Sequence, residues 1–222
     1  MPTCDIFLKT CDRDAEYLRH CIRSIEKFCT GFRNVVVIGD EQAPPFDPYL
    51  FQQCVKMRAD EYSDADLFLI TDSDTLFTLP VTPETYLVDG KPIWLMTPFS
   101  PEMLAHPGTK AWFDVMAEFF GGIKPHYEMM RRQPFMVPRN LLSNVRNFCQ
   151  VAHKKPIEDY VRSKGRFSEF NVLGTYAHRF MQSSFHWIDT EKQELPTLTV
   201  RQFWSWDAVE KNIEEIERIL GA

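Results

Sequence analysis

A chain of 222 residues, 44 % hydrophobic and 25 % charged, is long enough to fill one globular core and short for two domains. Its net charge of −6 and sequence pI of ≈ 5.5 deny it the overall basic footprint on which general nucleic-acid binders depend. No signal peptide and no membrane-spanning apolar run is legible, which leaves only peripheral membrane contact open. The cysteines, Cys4, Cys11, Cys21, Cys29, Cys54 and Cys149, form no CxxC pair; reduced thiols in a cytoplasmic protein fit better than a zinc site.

The apolar run Ile6-Phe7-Leu8 predicts a buried strand. Leu18, Cys21, Ile22, Ile25 and Phe28 then recur at helical spacing, predicting a helix over 15–28 with Asp14 as N-cap. Val35 to Ile38 reads as a second buried strand, ended by Gly39-Asp40. A proline-rich turn through Pro44, Pro45 and Pro48 leads into a helix expected to run to Asp60. Leu67-Phe68-Leu69-Ile70 is a third strand, followed at once by Asp72-Ser73-Asp74. Strand, helix, strand, helix, strand in this order predicts an α/β fold, a mostly parallel central sheet flanked by helices.

The second half is less regular. A strand is expected over 93–96, a helix over 109–120 closed by Gly121-Gly122, and a short strand over 135–137. Helices follow near 139–150, 156–164 and 168–180, and 182–188 returns toward the sheet. Asp207 is expected to cap a last helix whose apolar stripe is Val209, Ile213, Ile216 and Leu220. No linker divides the chain, so 1–222 reads as one domain. Arg131, Arg132, Arg139 and Arg146, followed by Lys154, Lys155, Arg162, Lys164 and Arg166, read as a solvated helix face or as an anion-facing surface.

Asp72 and Asp74 carry the strongest chemical signal. They lie at the carboxyl end of an expected central strand, where open α/β sheets bind ligands. Residues i and i+2 of an extended chain point to one side, so two carboxylates would meet one point, a donor set suited to Mg²⁺ or Mn²⁺. Thr10, Asp12 and Arg13 follow the first strand and face the same edge, Asp12 for a base or ribose and Arg13 for a phosphate. The plainer alternative is a polar loop. Lys56 reads as a donor-binding lysine or a solvated one, and Glu169 as an acceptor-side base or a residue favouring a helix start capped by Ser168. Trp204-Ser205-Trp206 offers aromatic faces for a sugar ring, or packing for the last helix.

The stretch Leu67-Phe-Leu-Ile-Thr-Asp-Ser-Asp-Thr-Leu-Phe77 resembles the DxD region of GT-A-fold glycosyltransferases. The opening Asp5-Ile-Phe-Leu-Lys-Thr-Cys-Asp-Arg-Asp14 resembles their first strand and nucleotide loop. Gln52-Gln53 with Lys56, and Ser168-Glu-Phe-Asn-Val-Leu-Gly174, resemble patterns in small bacterial and viral members. The resemblance covers most of 3–180. It implies a nucleotide-sugar half near 1–98 and an acceptor half near 99–222. It also implies a nucleoside diphosphate sugar donor, commonly UDP-linked, with Mn²⁺ or Mg²⁺ and a glycan or glycoconjugate acceptor. The second Asp of the motif, Asp74, would touch the metal, while Asp72 tends toward ribose or sugar as well as metal, beside Ser73. Such enzymes often draw a further metal ligand from a late histidine, here His186.

A haloacid-dehalogenase-type phosphatase is the main rival, but its DxDxT pattern meets Leu76 where Thr belongs and normally follows the first strand. A catalytically silent nucleotide-sugar binder is the second. A dinucleotide-binding GxGxxG and a hydrolase GxSxG are both missing.

Overall fold

The computed structural model describes residues 2–39, 46–131, 133–204 and 206–221. Asp40, Pro44, Pro45, Arg132 and Ser205 lie outside the described residues. The first part alternates β1 (Cys4–Lys9), α1 (Ala15–Phe28), β2 (Val35–Ile38), α2 (Pro48–Lys56), α3 (Ala59–Tyr62) and β3 (Leu67–Asp72). Then come β4 (Thr75–Phe77), β5 (Leu87–Val88), β6 (Lys91–Pro98), α4 (Pro101–Ala105), α5 (Pro107–Phe119), β7 (Tyr127–Glu128) and β8 (Phe135–Pro138). The last part is α6 (Arg139–His153), α7 (Ile157–Arg162), α8 (Glu169–Phe180), β9 (His186–Asp189), β10 (Val200–Gln202) and α9 (Ile213–Leu220).

The central sheet has the order β2-β1-β3-β8, with β8 antiparallel and the others parallel. Strands β1 and β3 are apolar at successive positions because both faces are covered, whereas the edge strand β2, expected to be buried, leaves Val35 and Val37 exposed. Ile6, Leu8, Leu67 and Leu69 turn toward Cys21 and Ile25 of α1. Phe7, Phe68 and Ile70 turn the other way, toward Leu50 and Cys54 of α2, Leu141 and Val145 of α6 and Leu173 of α8. The period-2 alternation of a strand thus feeds two cores at once. Beyond β8 the ring of Trp94 on β6 meets Phe135 at 5.6 Å, and β9 pairs in parallel with β6.

Several boundaries differ from expectation for identifiable reasons. The helix expected to reach Asp60 breaks after Lys56, and Arg146 of α6 takes the freed Met57 carbonyl at 2.7 Å while gripping the Asp60 carboxylate at 2.6 and 2.8 Å. Asp14 does not cap α1 with its side chain; it lies in a 3-10 turn and accepts from Ser73 Oγ at 3.4 Å. Asp207 does not cap the last helix. A 3-10 turn over Val209–Lys211 intervenes, Asn212 precedes α9, and the Asp207 carboxylate pairs with Lys211 at 3.1 Å. Of the basic stretch, Arg139 and Arg146 tie α6 to the α3 region, Lys164 pairs with Glu118, and Arg166 lies over the Tyr49 ring at 5.4 Å.

Helix α8 is buried along nearly its whole length, and Gly174 lets it approach β6 closely. A Cβ there would lie 2.6 Å from Met129 Cβ and 2.8 Å from Trp94 Nε1, whose N–H donates to the Met129 carbonyl at 2.9 Å. Gly174→Ala is therefore expected to destabilise the protein by about 1–3 kcal/mol. Urea unfolding checks this, and an unchanged midpoint would refute the tight approach.

Candidate functional site

Strand β3 ends at Asp72, and the chain turns at Ser73-Asp74 before β4 begins at Thr75. The extended geometry assumed for the two aspartates is thus replaced by a turn, and each carboxylate has its own surroundings. Asp74 belongs to the β4 side: Phe203 N–H donates to its carbonyl at 2.7 Å, and Gln202 Nε2 lies 3.3 Å from its Oδ1. Asp72 faces α2 and β8. Its Oδ1 lies 2.5 Å from Lys56 Nζ, and its Oδ2 accepts from Gln133 Nε2.

Gln133 carries no signal of its own in the sequence. It is placed by topology: continuing the antiparallel register of Ile70 with Phe135 by two residues sets Gln133 opposite Asp72. Its Oε1 accepts from the Asp72 N–H at 2.9 Å and from Thr71 Oγ1 at 3.2 Å, so one amide grips both backbone and carboxylate. No periodicity could have flagged this, because the contact follows from pairing between residues 61 positions apart.

Lys56 is buried, with its side chain 4 % exposed, and lies between two carboxylates, 2.5 Å from Asp72 and 3.0 Å from Glu169 Oε1. Its Nζ also lies 5.4 Å from the centre of the Phe170 ring. Burial alone would lower the lysine's pKa, but Asp72 and then Glu169 outweigh it and hold the value above normal, so the ammonium stays charged. Glu169 is 1 % exposed. Burial pushes its carboxyl up, Lys56 pulls it back, and Asp72 adds to the rise. Its Oε2 has no hydrogen-bond partner among the described residues, and its N–H donates to Gln53 Oε1 at 3.1 Å. Gln53 and Lys56 are one helical turn apart on α2, so a single face of that helix holds both the α8 start and the β3 end.

Thr10 is buried at the end of β1, its N–H donating to the Ile38 carbonyl at 2.9 Å. Asp12 and Arg13 are exposed in the 3-10 turn that follows. Ser73 is buried and bonded to Asp14. The loop after β1 and the acidic turn therefore share one edge. His186 opens β9, in register with Ile93, on a strand beyond β6. Among the described residues no group of three or more His, Cys, Asp or Glu is arranged to hold a metal.

The acidic turn still suits a hard cation. A carboxylate offers about four lone-pair sites, so Asp72 and Asp74 can each accept beyond their protein partners. Magnesium is commonly held by one or two carboxylates together with substrate phosphates, without an all-protein cage.

The fold, a β2-β1-β3 parallel core with an antiparallel neighbour, is GT-A-like. It is similar to a glycosyltransferase involved in glycosylation of the major capsid of PBCV-1, at 10 % identity over 98 % of this chain and 100 % of that one, with a TM-score of 0.53. It is likewise similar to the galactosyltransferase LgtC, solved with donor and acceptor sugar analogs, at 13 % identity over 98 % and 95 % of the two chains, TM-score 0.54. No model of a protein family and no curated protein matches the sequence. At these identities the likeness establishes the fold.

Proposed function

We propose that the protein is a metal-dependent glycosyltransferase that moves a hexose-like sugar from a nucleoside diphosphate sugar, UDP-linked, to a hydroxyl of a glycan or glycoconjugate. The observation that carries this reading is the Asp72-Ser73-Asp74 turn at the carboxyl edge of the central strand, beside the loop after β1. Its setting is a fold shared over nearly the full length with glycosyltransferases. Among the described residues no helix is long and apolar enough to cross a membrane.

Thr10, Asp12 and Arg13 would meet the nucleoside and its phosphates, and Ser73 would fix the turn through Asp14. Asp74, with Asp72, would hold Mg²⁺ or Mn²⁺, whose charge neutralises the departing diphosphate. His186, at the start of β9 beside β6, would be the further ligand. Lys56 and Gln133 hold the Asp72 carboxylate in one orientation, so little reorganisation is needed when a donor binds.

Glu169 enters this reading with two possible roles that one mutant separates. Its burial and its contact with Lys56 favour a positioning role, in which it holds the lysine against Asp72. Glu169→Gln is then expected to keep transfer within about tenfold of wild type, because Lys56 retains Asp72. Loss of about 10²–10⁴-fold with unchanged donor affinity and folding would assign Glu169 as the base instead.

The test of the function is a thermal-shift screen of UDP-, GDP-, ADP- and CDP-sugars with and without Mn²⁺, followed by assay of nucleoside diphosphate release. A ligand that binds the folded state raises the melting temperature. A Mn²⁺-dependent shift with release supports the proposal. A shift without release, with or without sugar acceptors, points to a silent nucleotide-sugar binder, and no shift with any donor overturns the reading.

A further inference from the structure

Trp204 and Trp206 are 51 % and 71 % exposed, and their rings stack on each other at 4.6 Å between centroids and 12° between planes. Packing of α9 does not account for them: the residues of that region buried against Tyr17 are Phe203, Val209, Ile216 and Leu220. Two indoles left largely in water form a flat aromatic slab of the kind that marks a binding surface.

The slab is tied to the candidate catalytic edge. Phe203, the residue before Trp204, donates its N–H to the Asp74 carbonyl, and Gln202 touches the Asp74 carboxylate. The Tyr17 hydroxyl donates to the Asp207 carbonyl at 3.1 Å and receives the Asn212 amide at 2.9 Å, which pins the segment after Trp206 onto α1. Beside Trp206 opens a concavity of ≈ 480 Å³ whose rim carries Arg13, Glu16, Asp207 and Glu210. Arg13 on this rim belongs to the turn that also carries Asp14, the partner of Ser73 in the acidic turn.

The chemistry of this rim selects its occupant. Glu16, Asp207 and Glu210 against Arg13, with Lys211 engaged by Asp207, leave the rim net negative, which disfavours an anionic lipid surface. The same carboxylates accept hydrogen bonds from neutral hydroxyls, and an indole face suits the apolar C–H face of a pyranose. We infer that Trp204, Trp206 and the adjoining concavity form a binding site for a neutral oligosaccharide, the acceptor glycan of the proposed transfer. The inference rests on the glycosyltransferase reading for the word acceptor, and on the aromatic slab and acidic rim for the word neutral.

The experiment titrates the full chain with lactose, cellobiose, maltose and mannobiose without donor, followed by tryptophan fluorescence and saturation-transfer NMR. It is repeated on Trp204→Ala, Trp206→Ala and Glu210→Gln, with melting temperatures recorded to verify folding. Binding of at least one disaccharide, weakened about tenfold or more by Trp206→Ala at unchanged melting temperature, is expected. Binding indifferent to both tryptophan substitutions, or no binding by any of the four sugars, overturns the site. Tryptophan-dependent association with phosphatidylcholine vesicles in place of sugar also overturns it, in favour of a membrane contact. Release of nucleoside diphosphate by the wild-type protein is read separately. Donor turnover without sugar binding defeats this site alone, whereas sugar binding at the tryptophans without donor turnover keeps the site and defeats the transferase reading.

Discussion

Lys56→Met is expected to destabilise the protein by about 3–5 kcal/mol, the range for removing one partner of a buried ionic group. The lysine side chain is 4 % exposed, and that of Glu169 is 2 % exposed. Methionine matches the stem in size, so the loss is that of the charge. Glu169 would then have no cation for Oε1, and its Oε2 already has no partner among the described residues. Asp72 would keep Gln133 and partial solvent contact, so most of the penalty falls on Glu169. The double variant Lys56→Met/Glu169→Gln should recover a substantial part of the loss, because a neutral amide tolerates burial better than an unpaired carboxylate. Urea unfolding of the two variants checks both statements. A single-mutant loss below about 1 kcal/mol would mean that the triad is solvated and that Lys56 does not organise the site.

What could be read from the sequence was what depends on local order. Strands β1 and β3 and helix α1 are visible because their apolar residues have a core to face, whereas β2, expected to be buried, leaves Val35 and Val37 exposed at the sheet edge. The three-residue strands β4 and β10 carry too few residues to show a period and exist by pairing with each other. The same division runs through the site. Asp72, Asp74 and Lys56 announce themselves by residue type and position. Gln133 and Gln202 do not, since their contacts come from antiparallel neighbours about sixty and 128 positions away. Glu169 shows the limit most clearly. Its placement after Ser168 reads as a helix start, and Ser168 Oγ does accept from the Asn171 N–H at 3.4 Å. Its burial against Lys56 depends on α8 packing onto α2, which no local pattern encodes.

Asp74→Ala is expected to abolish the Mn²⁺-dependent part of any donor-induced thermal shift and to lower donor turnover by at least about a hundredfold, since charge stabilisation by a bound cation is worth several kcal/mol and each 1.36 kcal/mol is tenfold. The substitution should leave the fold standing. The Asp74 backbone is held by Phe203 N–H, and β4 keeps its antiparallel register with β10, Thr75 opposite Gln202. The structural cost includes the hydrogen bond from Gln202, about 0.5–1.5 kcal/mol. That separation makes the mutant informative: a small drop in melting temperature without ligand, together with loss of the metal-dependent increment, isolates the cation's share. Asp74→Asn sharpens the point, because it keeps an acceptor for Gln202 and removes the charge. Its melting temperature should lie nearer to wild type than that of the alanine variant, while its response to Mn²⁺ is equally lost. If both variants keep the Mn²⁺-dependent shift, the cation is not held by Asp74, and the acidic turn serves β4–β10 pairing alone.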